Sequence, residues 1–249
     1  MSQLALITST IAPATGTHLL ARADPAQRLL DYQQGFAFYC DRLREGVFDA
    51  ISYVDNSGYP LDSLRQIARA KGVETRVEFI SYRSDLNPGN GRFYLEIRLI
   101  EHFMRQSMLL RELDEPQVWK LSGRYRIANI AALVRSCVDG GRHDLCINCR
   151  NHPLRWADFY VAAFTSAGWR RLFADRLSRY EGPVDGERIL RDQLEGSDLT
   201  GIRVSRRFKV VPRIEGVRGF DGARYHGARE RVKYWVRCVL NRIAPSLWI

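Results

Sequence analysis

The sequence predicts an α/β protein built on a mostly parallel, doubly wound sheet flanked by helices. Short apolar runs alternate with helical patterns four times in the first half of the chain. Each apolar run stops at a cluster of small polar residues, as strands do at the functional edge of such a sheet. A 45% share of hydrophobic residues is enough to bury a core beneath that sheet.

Each element has a local reason. LALITSTI (4–11) is a buried strand running into the polar turn STIAPATGT. Asp24-Pro25 supplies an N-cap and a proline at the first helical position. Leu29, Tyr32, Phe36, Tyr39 and Leu43 then recur at helical spacing up to Gly46. FDAISYVD (48–55) is a second strand, stopped by Asn56-Ser57-Gly58, and PLDSLRQIARAKG is a short helix closed by Gly72. VEFIS (77–81) is a third strand, followed by the turn-rich YRSDLNPGNG. A long helix is expected from Arg92 to about Leu110, with Phe93, Ile97, Ile100 and Met104 on one face. QVWKL is the fourth strand; Ser122-Gly123-Arg124 follows, and Tyr125-Arg126 opens a helix expected over 126–137.

The second half is less regular. HDLCINC reads as a strand, PLRWADFYVAAFTSAGWRRLF as an aromatic-rich helix and DGERILRDQL as a short helix. RRFKVV reads as a strand that gives way to a Gly/Arg loop, and ARERVKYWVRCVLNRI as a closing helix. With no internal repeat and no low-complexity linker, the expected organisation is one domain over 1–227 and a C-terminal helical extension over 228–249.

Charge is unevenly placed. The net charge is +10, and residues 201–249 hold 12 of the 38 Lys and Arg against Glu215, Asp221 and Glu230. A basic tail on a nearly neutral body points to an anionic partner: a phosphorylated ligand, an acidic membrane surface or nucleic acid. Tail-borne Tyr225, Tyr234 and Trp235 could stack on bases, but nucleic acid would leave the polar strand ends in the neutral body unexplained, so it is not the expected partner. The opening MSQLALITSTIAP has no basic segment followed by a long apolar one, so no secretory leader is expected. No window approaches ~18 consecutive apolar residues, and a cytoplasmic address is expected.

The five cysteines are odd in number and scattered, which suits reduced thiols. HDLCINCRNH places His143, Cys146, Cys149 and His152 at steps of three. Those are zinc-type residues, yet steps of three neither converge on a helix nor share a face of a strand. A zinc site is therefore not expected, and the thiols are assigned to a strand. There is neither a P-loop nor a GxGxxG, which argues against ATPase and dinucleotide chemistry.

The strand ends are the candidate site. Thr8-Ser9-Thr10, Asp55-Asn56-Ser57-Gly58, Ser81 with its glycine-rich turn, and Ser122-Gly123-Arg124 all fall where open α/β sheets bind ligands. Pro88-Gly89-Asn90-Gly91-Arg92 opens a helix, and free N–H groups there can hold an anion. The bland alternative at each position is a cap or a turn.

GRFYLE (91–96) resembles a Gly-Lys-Gly-Tyr-Gly-Glu motif in a family of bacterial glycosyltransferases that build capsule and lipopolysaccharide chains, O-antigen included. KLSGRY (120–125) is similar to that family's Lys-(Ile/Leu)-(Thr/Ser)-Gly-Arg-Tyr motif. The NSG at 56–58, Asp158 with Phe159 and Phe164, and PRIEGVRGFDGARY (212–225) follow in the family's order. Phe93 and Leu95 stand where the family has glycines. The resemblance implies a GT-A-like fold and transfer of a sugar from a nucleotide-sugar donor, UDP-linked by expectation, to a lipid-linked glycan; the alternative on the same fold is a non-catalytic, transferase-like partner in an assembly complex.

Thr8, Asp55, Asn56 and Ser57 then become candidates for holding the donor nucleoside, with Gly91, Arg92, Lys120, Ser122, Gly123 and Arg124 around its diphosphate. A conventional GT-A enzyme holds a metal ion with Asp-x-Asp near the end of the fourth strand; here that place reads Ser-Gly-Arg. Cations in the metal's place predict a metal-independent enzyme without a cofactor, in which Arg124, with Lys120 as a second candidate, offsets the charge of the leaving diphosphate. Asp158 is the expected base for the acceptor hydroxyl, with Glu96 and Glu187 as alternatives.

The last helix carries Val232, Trp235, Val236, Val239, Leu240 and Ile243 in one apolar stripe, with Trp248 beyond it. Arg229, Arg231, Lys233, Arg237 and Arg242 surround the stripe. That pattern fits a helix lying on an anionic membrane surface, here the inner face of the cytoplasmic membrane. The alternative is a helix docked on the core with a basic outer face.

Overall fold

The structure, a computed structural model, describes every residue except 18, 19, 197, 198, 219, 220, 224, 226, 245, 246, 248 and 249. Four parallel strands form its first half: β1 (Gln3–Ser9), β2 (Ala50–Asp55), β3 (Val77–Ser81) and β4 (Gln117–Ser122). β1 lies between β2 and β4 and pairs in parallel with both, with Thr8 level with Val54 on one side and Ser122 on the other. Every residue of β1 and β2 is buried, which is why they read as continuous apolar runs rather than alternating ones.

Helix α1 (Pro25–Arg44) connects β1 to β2, and α2 (Asp62–Ala70) connects β2 to β3. The Asp24 side chain accepts from the Ala26 N–H, the N-cap expected there. The predicted 92–110 helix is two helices, α3 (Arg92–Gln106) and α4 (Met108–Glu112). They part at Ser107, whose backbone is extended, because its hydroxyl caps α4 at Leu110 N–H and donates to the Glu78 carboxylate.

The segment after β4 also departs from expectation. Residues 125–127 form strand β5 (Tyr125–Ile127) instead of opening a helix, and α5 (Ile130–Asp139) begins later. The buried Tyr39 hydroxyl donates to Tyr125 O at 2.8 Å and accepts from Ile127 N–H at 3.3 Å, fixing an extended backbone. β6 (Leu145–Arg150) holds Cys146 and Cys149 as expected. The expected aromatic helix is instead strand β7 (Trp156–Phe164), followed by α6 (Ser166–Phe173) and α7 (Gly186–Gly196). β7 pairs with β4 and β6 and packs Val161 and Ala163 into one core and Ala162 and Phe164 into the other, so both its faces are covered and no alternation marks it as a strand. RRFKVV forms no strand; two short ones flank it, β8 (Val204–Ser205) and β9 (Ile214–Gly216), the latter pairing with β5. The final helix, α8 (Ala228–Ile243), lies where it was expected.

The main sheet runs β3-β2-β1-β4-β7-β6-β8, with β7 antiparallel to both its neighbours. It is the mostly parallel, helix-flanked sheet expected of a GT-A-like domain. One core packs α1, α2 and α5 on one face, around Phe36, Tyr53 and Trp119. The other packs α3, α6 and α7 on the opposite face, around Ile97, Phe159 and Trp169. Among the described residues, no helix is long and apolar enough to cross a membrane.

Candidate functional site

The parallel register brings Thr8, Asp55 and Ser122 to one sheet edge, as the sequence implied. What each side chain does there differs sharply.

Asp55 is fully buried and saturated. Its Oδ2 accepts from Ser9 Oγ (2.8 Å) and Ile11 N–H (2.9 Å), and its Oδ1 from Ser57 N–H (2.8 Å) and Ser57 Oγ (2.5 Å). Four donors account for about the four lone-pair sites of a carboxylate, so Asp55 builds the loops and leaves no acceptor for a nucleoside. Asn56 Oδ1 accepts from Thr10 Oγ1 at 2.7 Å, and Ser57 Oγ accepts from Ala12 N–H at 3.1 Å. The DNS turn therefore ties β2 to the loop after β1.

Lys120 departs from its expected place on the crevice wall. It is 0% exposed, pairs with Glu96 Oε1 at 2.6 Å and donates to Ser122 Oγ at 2.9 Å and to the Phe159 carbonyl. Thr8 Oγ1 donates to the same Glu96 oxygen at 2.9 Å. Burial lowers the pKa of the Lys120 ammonium and the Glu96 charge opposes that shift. Lys120 thus holds Glu96, β4 and β7 together from beneath the site. Gly123, expected beside the diphosphate, is instead tightly packed by protein. A Cβ there would stand 2.8 Å from Ile7 Cγ2 and 3.0 Å from both Thr8 O and Tyr32 Cδ1, so this glycine seats α1 against the end of β4.

Arg124 lies half-buried above that junction. Its guanidinium is 6.0 Å from the centre of the Tyr32 ring and 5.8 Å from that of Tyr125, and its buried Nη1 has no hydrogen-bond partner among the described residues. Burial works against its charge, but the neighbouring Tyr32, Tyr125 and Asp31 outweigh that and raise its pKa. Arg28, which the sequence reading missed, is buried beside it and donates to Thr10 O through Nε at 2.8 Å. The signal was available: Arg28 shares the helical stripe of Tyr32, Gly35, Phe36 and Tyr39, all buried on α1.

Gly91 has φ +87, and a Cβ there would meet Gly182 O at 2.4 Å, so the turn before α3 is closed against the 180–182 loop. Arg92 is exposed at the first position of α3. Phe93 packs on Phe159 and Tyr180 at ring separations of 5.0 and 5.2 Å. Phe159 and Phe164 are core residues at 2% exposure, and neither offers a face to a sugar. Asp158 is 4% exposed, with Oδ1 paired to Arg150 at 2.8 Å and Oδ2 accepting from Asn148 Nδ2 at 2.9 Å. Its charge is committed to a cation, a poor state for a base.

Glu187, in the first turn of α7, is half-buried, and its Oε1 accepts from Phe159 N–H at 3.3 Å. Burial, with the charges of Asp158 and Glu96, pushes its carboxyl up to about 7. Among the described residues, no group of three or more His, Cys, Asp or Glu side chains is arranged to hold a metal ion.

No protein-family model and no curated protein matches the chain. Several solved structures resemble it, and two illustrate the likeness. A Desulfovibrio desulfuricans G20 protein, provisionally called a nucleotide-diphospho-sugar transferase, aligns over 82% of this chain and 79% of its own at 11% identity, with a TM-score of 0.49. A Bacillus anthracis protein in complex with a sucrose, provisionally called a glucose-1-phosphate thymidylyltransferase, aligns over 82% of this chain and 85% of its own. Its identity is 13% and its TM-score 0.44.

Proposed function

We propose that the chain is a glycosyltransferase that moves a sugar from a nucleoside-diphosphate donor, UDP-linked by preference, to a lipid-linked glycan in bacterial surface-polysaccharide synthesis. The observation that carries this reading is Arg124: a buried guanidinium nitrogen without a partner among the described residues, at the carboxyl end of a parallel strand, beside Tyr32 and Tyr125. An unsatisfied buried donor costs about 1–3 kcal/mol, and an anionic ligand would relieve that cost. The diphosphate of the donor fits, because its charge increases when it leaves and a fixed guanidinium favours that state. Where a metal-dependent relative would carry carboxylates, Ser122, Gly123 and Arg124 offer a hydroxyl, a packed glycine and a cation. This donor set suits a phosphate and not a divalent ion, so the proposed transfer proceeds without metal.

The acceptor side of the proposal rests on α8. Val232, Trp235, Val236, Val239 and Ile243 are 61, 66, 48, 51 and 73% exposed along one stripe. Arg229, Arg231, Lys233 and Arg242 are exposed around it, while Arg237 is half-buried towards the body and Asn241 Nδ2 donates to Lys209 O at 3.0 Å. Trp248 lies outside the described residues. A helix docked by one face with an apolar stripe ringed by cations on the other suits the surface of an anionic bilayer, where lipid-linked acceptors reside. The division into a transferase body over 1–227 and a membrane-facing helix over 228–249 is part of this proposal. The test is flotation with vesicles containing anionic lipid, together with transfer of labelled sugar from UDP-sugars into lipid extracts. Expected are co-flotation and label in the lipid phase; a protein that stays in the pellet fraction and labels nothing would refute the reading.

A further inference from the structure

Four carboxylates gather around the strand ends, and their hydrogen bonds divide them. Asp55 is saturated by four donors, Asp158 is held by Arg150 and Asn148, and Glu96 neutralises the buried Lys120. Glu187 alone faces no cation within ion-pair distance, and its Oε2 has no hydrogen-bond partner among the described residues. The groups around it are Asp158 on β7, Glu96 on α3, Lys120 on β4, Tyr125 on β5 and Tyr225 in the loop after β9.

The backbone beneath Glu187 is built to receive it. On β6, Ile147 pairs with Ala162 and the next residue, Asn148, pairs with Asp158, so residues 159–161 of β7 bulge out of that ladder. Bulges free backbone groups and re-aim them next to sites. Here the freed Phe159 N–H points to Glu187 Oε1, and the Phe159 carbonyl accepts from Lys120. One residue thus fixes the Glu187 carboxylate through its amide and the Lys120–Glu96 pair through its carbonyl.

Resting on the transferase reading above, we propose that Glu187, and not Asp158, is the catalytic base, taking the proton of the acceptor hydroxyl on Oε2. As that proton moves to Glu187, the acceptor oxygen forms a bond to the anomeric carbon. The bond from that carbon to the diphosphate breaks, and the nucleoside diphosphate leaves with the electron pair, held by Arg124. This single displacement inverts the anomeric centre. A Glu187 carboxyl that burial raises to about 7 matches the requirement that a base titrate near working pH.

The experiment measures sugar transfer, its pH profile and the thermal shift caused by UDP for wild type, Glu187→Gln, Glu187→Asp and Asp158→Asn. Expected is a ~10²- to 10⁴-fold loss of kcat in Glu187→Gln, with an unchanged UDP shift. The wild-type profile should rise through a pH of about 7, as deprotonation of Glu187 requires. Partial activity with a displaced rising limb is expected in Glu187→Asp. Wild-type kcat and an unmoved limb in Glu187→Gln would overturn the base while leaving the transferase reading intact. A wild type that neither shifts with UDP nor transfers sugar would overturn both. A retained anomeric configuration would overturn the single displacement on its own.

Discussion

Two regions of the same sheet edge, the Asp55 turn and the Arg124–Glu187 wall, carry similar residues to opposite ends. At the Asp55 turn every charge and amide is matched: four donors on one carboxylate, with Asn56 and Ser57 tied to the loop after β1. At the opposite wall, among the described residues, Arg124 Nη1 has no partner and Glu187 accepts a single long hydrogen bond. Matched polar groups in a protein interior specify the fold, whereas unmatched ones raise its free energy unless a ligand completes them. The comparison separates residues that shape the crevice from residues that meet its occupant. Lys120 shows that being cationic and near the site is not sufficient, since its partners are all internal.

The largest effect should come from breaking the matched side. Lys120→Met leaves Glu96 without its buried cation and should destabilise the fold by about 3–5 kcal/mol, read as a lowered urea midpoint. Combining Lys120→Met with Glu96→Gln should recover part of that loss. Equal losses in the single and double variants would show that the pair does not interact as described. Next is the unmatched side: Arg124→Ala should retain the urea midpoint yet lower kcat by ~10²–10³-fold, as loss of one oriented donor to a developing anion does. A large loss of stability with unimpaired turnover would place Arg124 with Asp55 instead. Asp55→Asn removes the charge and turns one acceptor into a donor facing donors, which should cost about 1–3 kcal/mol in the same urea experiment.

A subtler difference lies in pH. The Glu187 carboxyl is raised from 4.5 to about 7, so the folded state binds its proton more tightly than the unfolded chain does. Its contribution to stability is therefore fully present below about 4.5 and declines as pH rises to about 7. Glu187→Gln should flatten that part of the stability–pH curve, measured by denaturant melts at several pH values; an unchanged slope would mean the carboxyl titrates normally. The smallest effect on the body is expected from Trp235→Glu with Val239→Glu on α8. Both residues are more than half exposed, so stability should hold while flotation with anionic vesicles falls.

How much of this was legible depended on where the determining contacts lie. The parallel strands were readable because burial on both faces makes continuous apolar runs, and their polar ends sit in sequence where they sit in space. β7 was not: its aromatic residues carry a helix-like spacing, and only pairing with β6 just before it and with β4, further back in the sequence, makes it a strand. The aromatic neighbours that suggested Asp158 as the base are visible in sequence, whereas its pairing with Arg150 and Asn148 arises only when β6 lies beside β7. Glu187 was visible as a carboxylate, but its lack of a cation is a property of the assembled fold. Gly123 was recognised as important for a contact with the ligand, whereas its neighbours are Ile7, Thr8 and Tyr32. A motif shows that a glycine matters; only packing shows what approaches it.

The central claim, that Arg124 is completed by the diphosphate of a nucleotide, is tested most directly by thermal melting with UDP, uridine and UMP, each with and without Mn²⁺. The account predicts a rise in Tm that is largest for UDP, absent for uridine, independent of Mn²⁺ and lost in Arg124→Ala. Equal responses of wild type and Arg124→Ala to UDP, or a response that appears only with Mn²⁺, would contradict it.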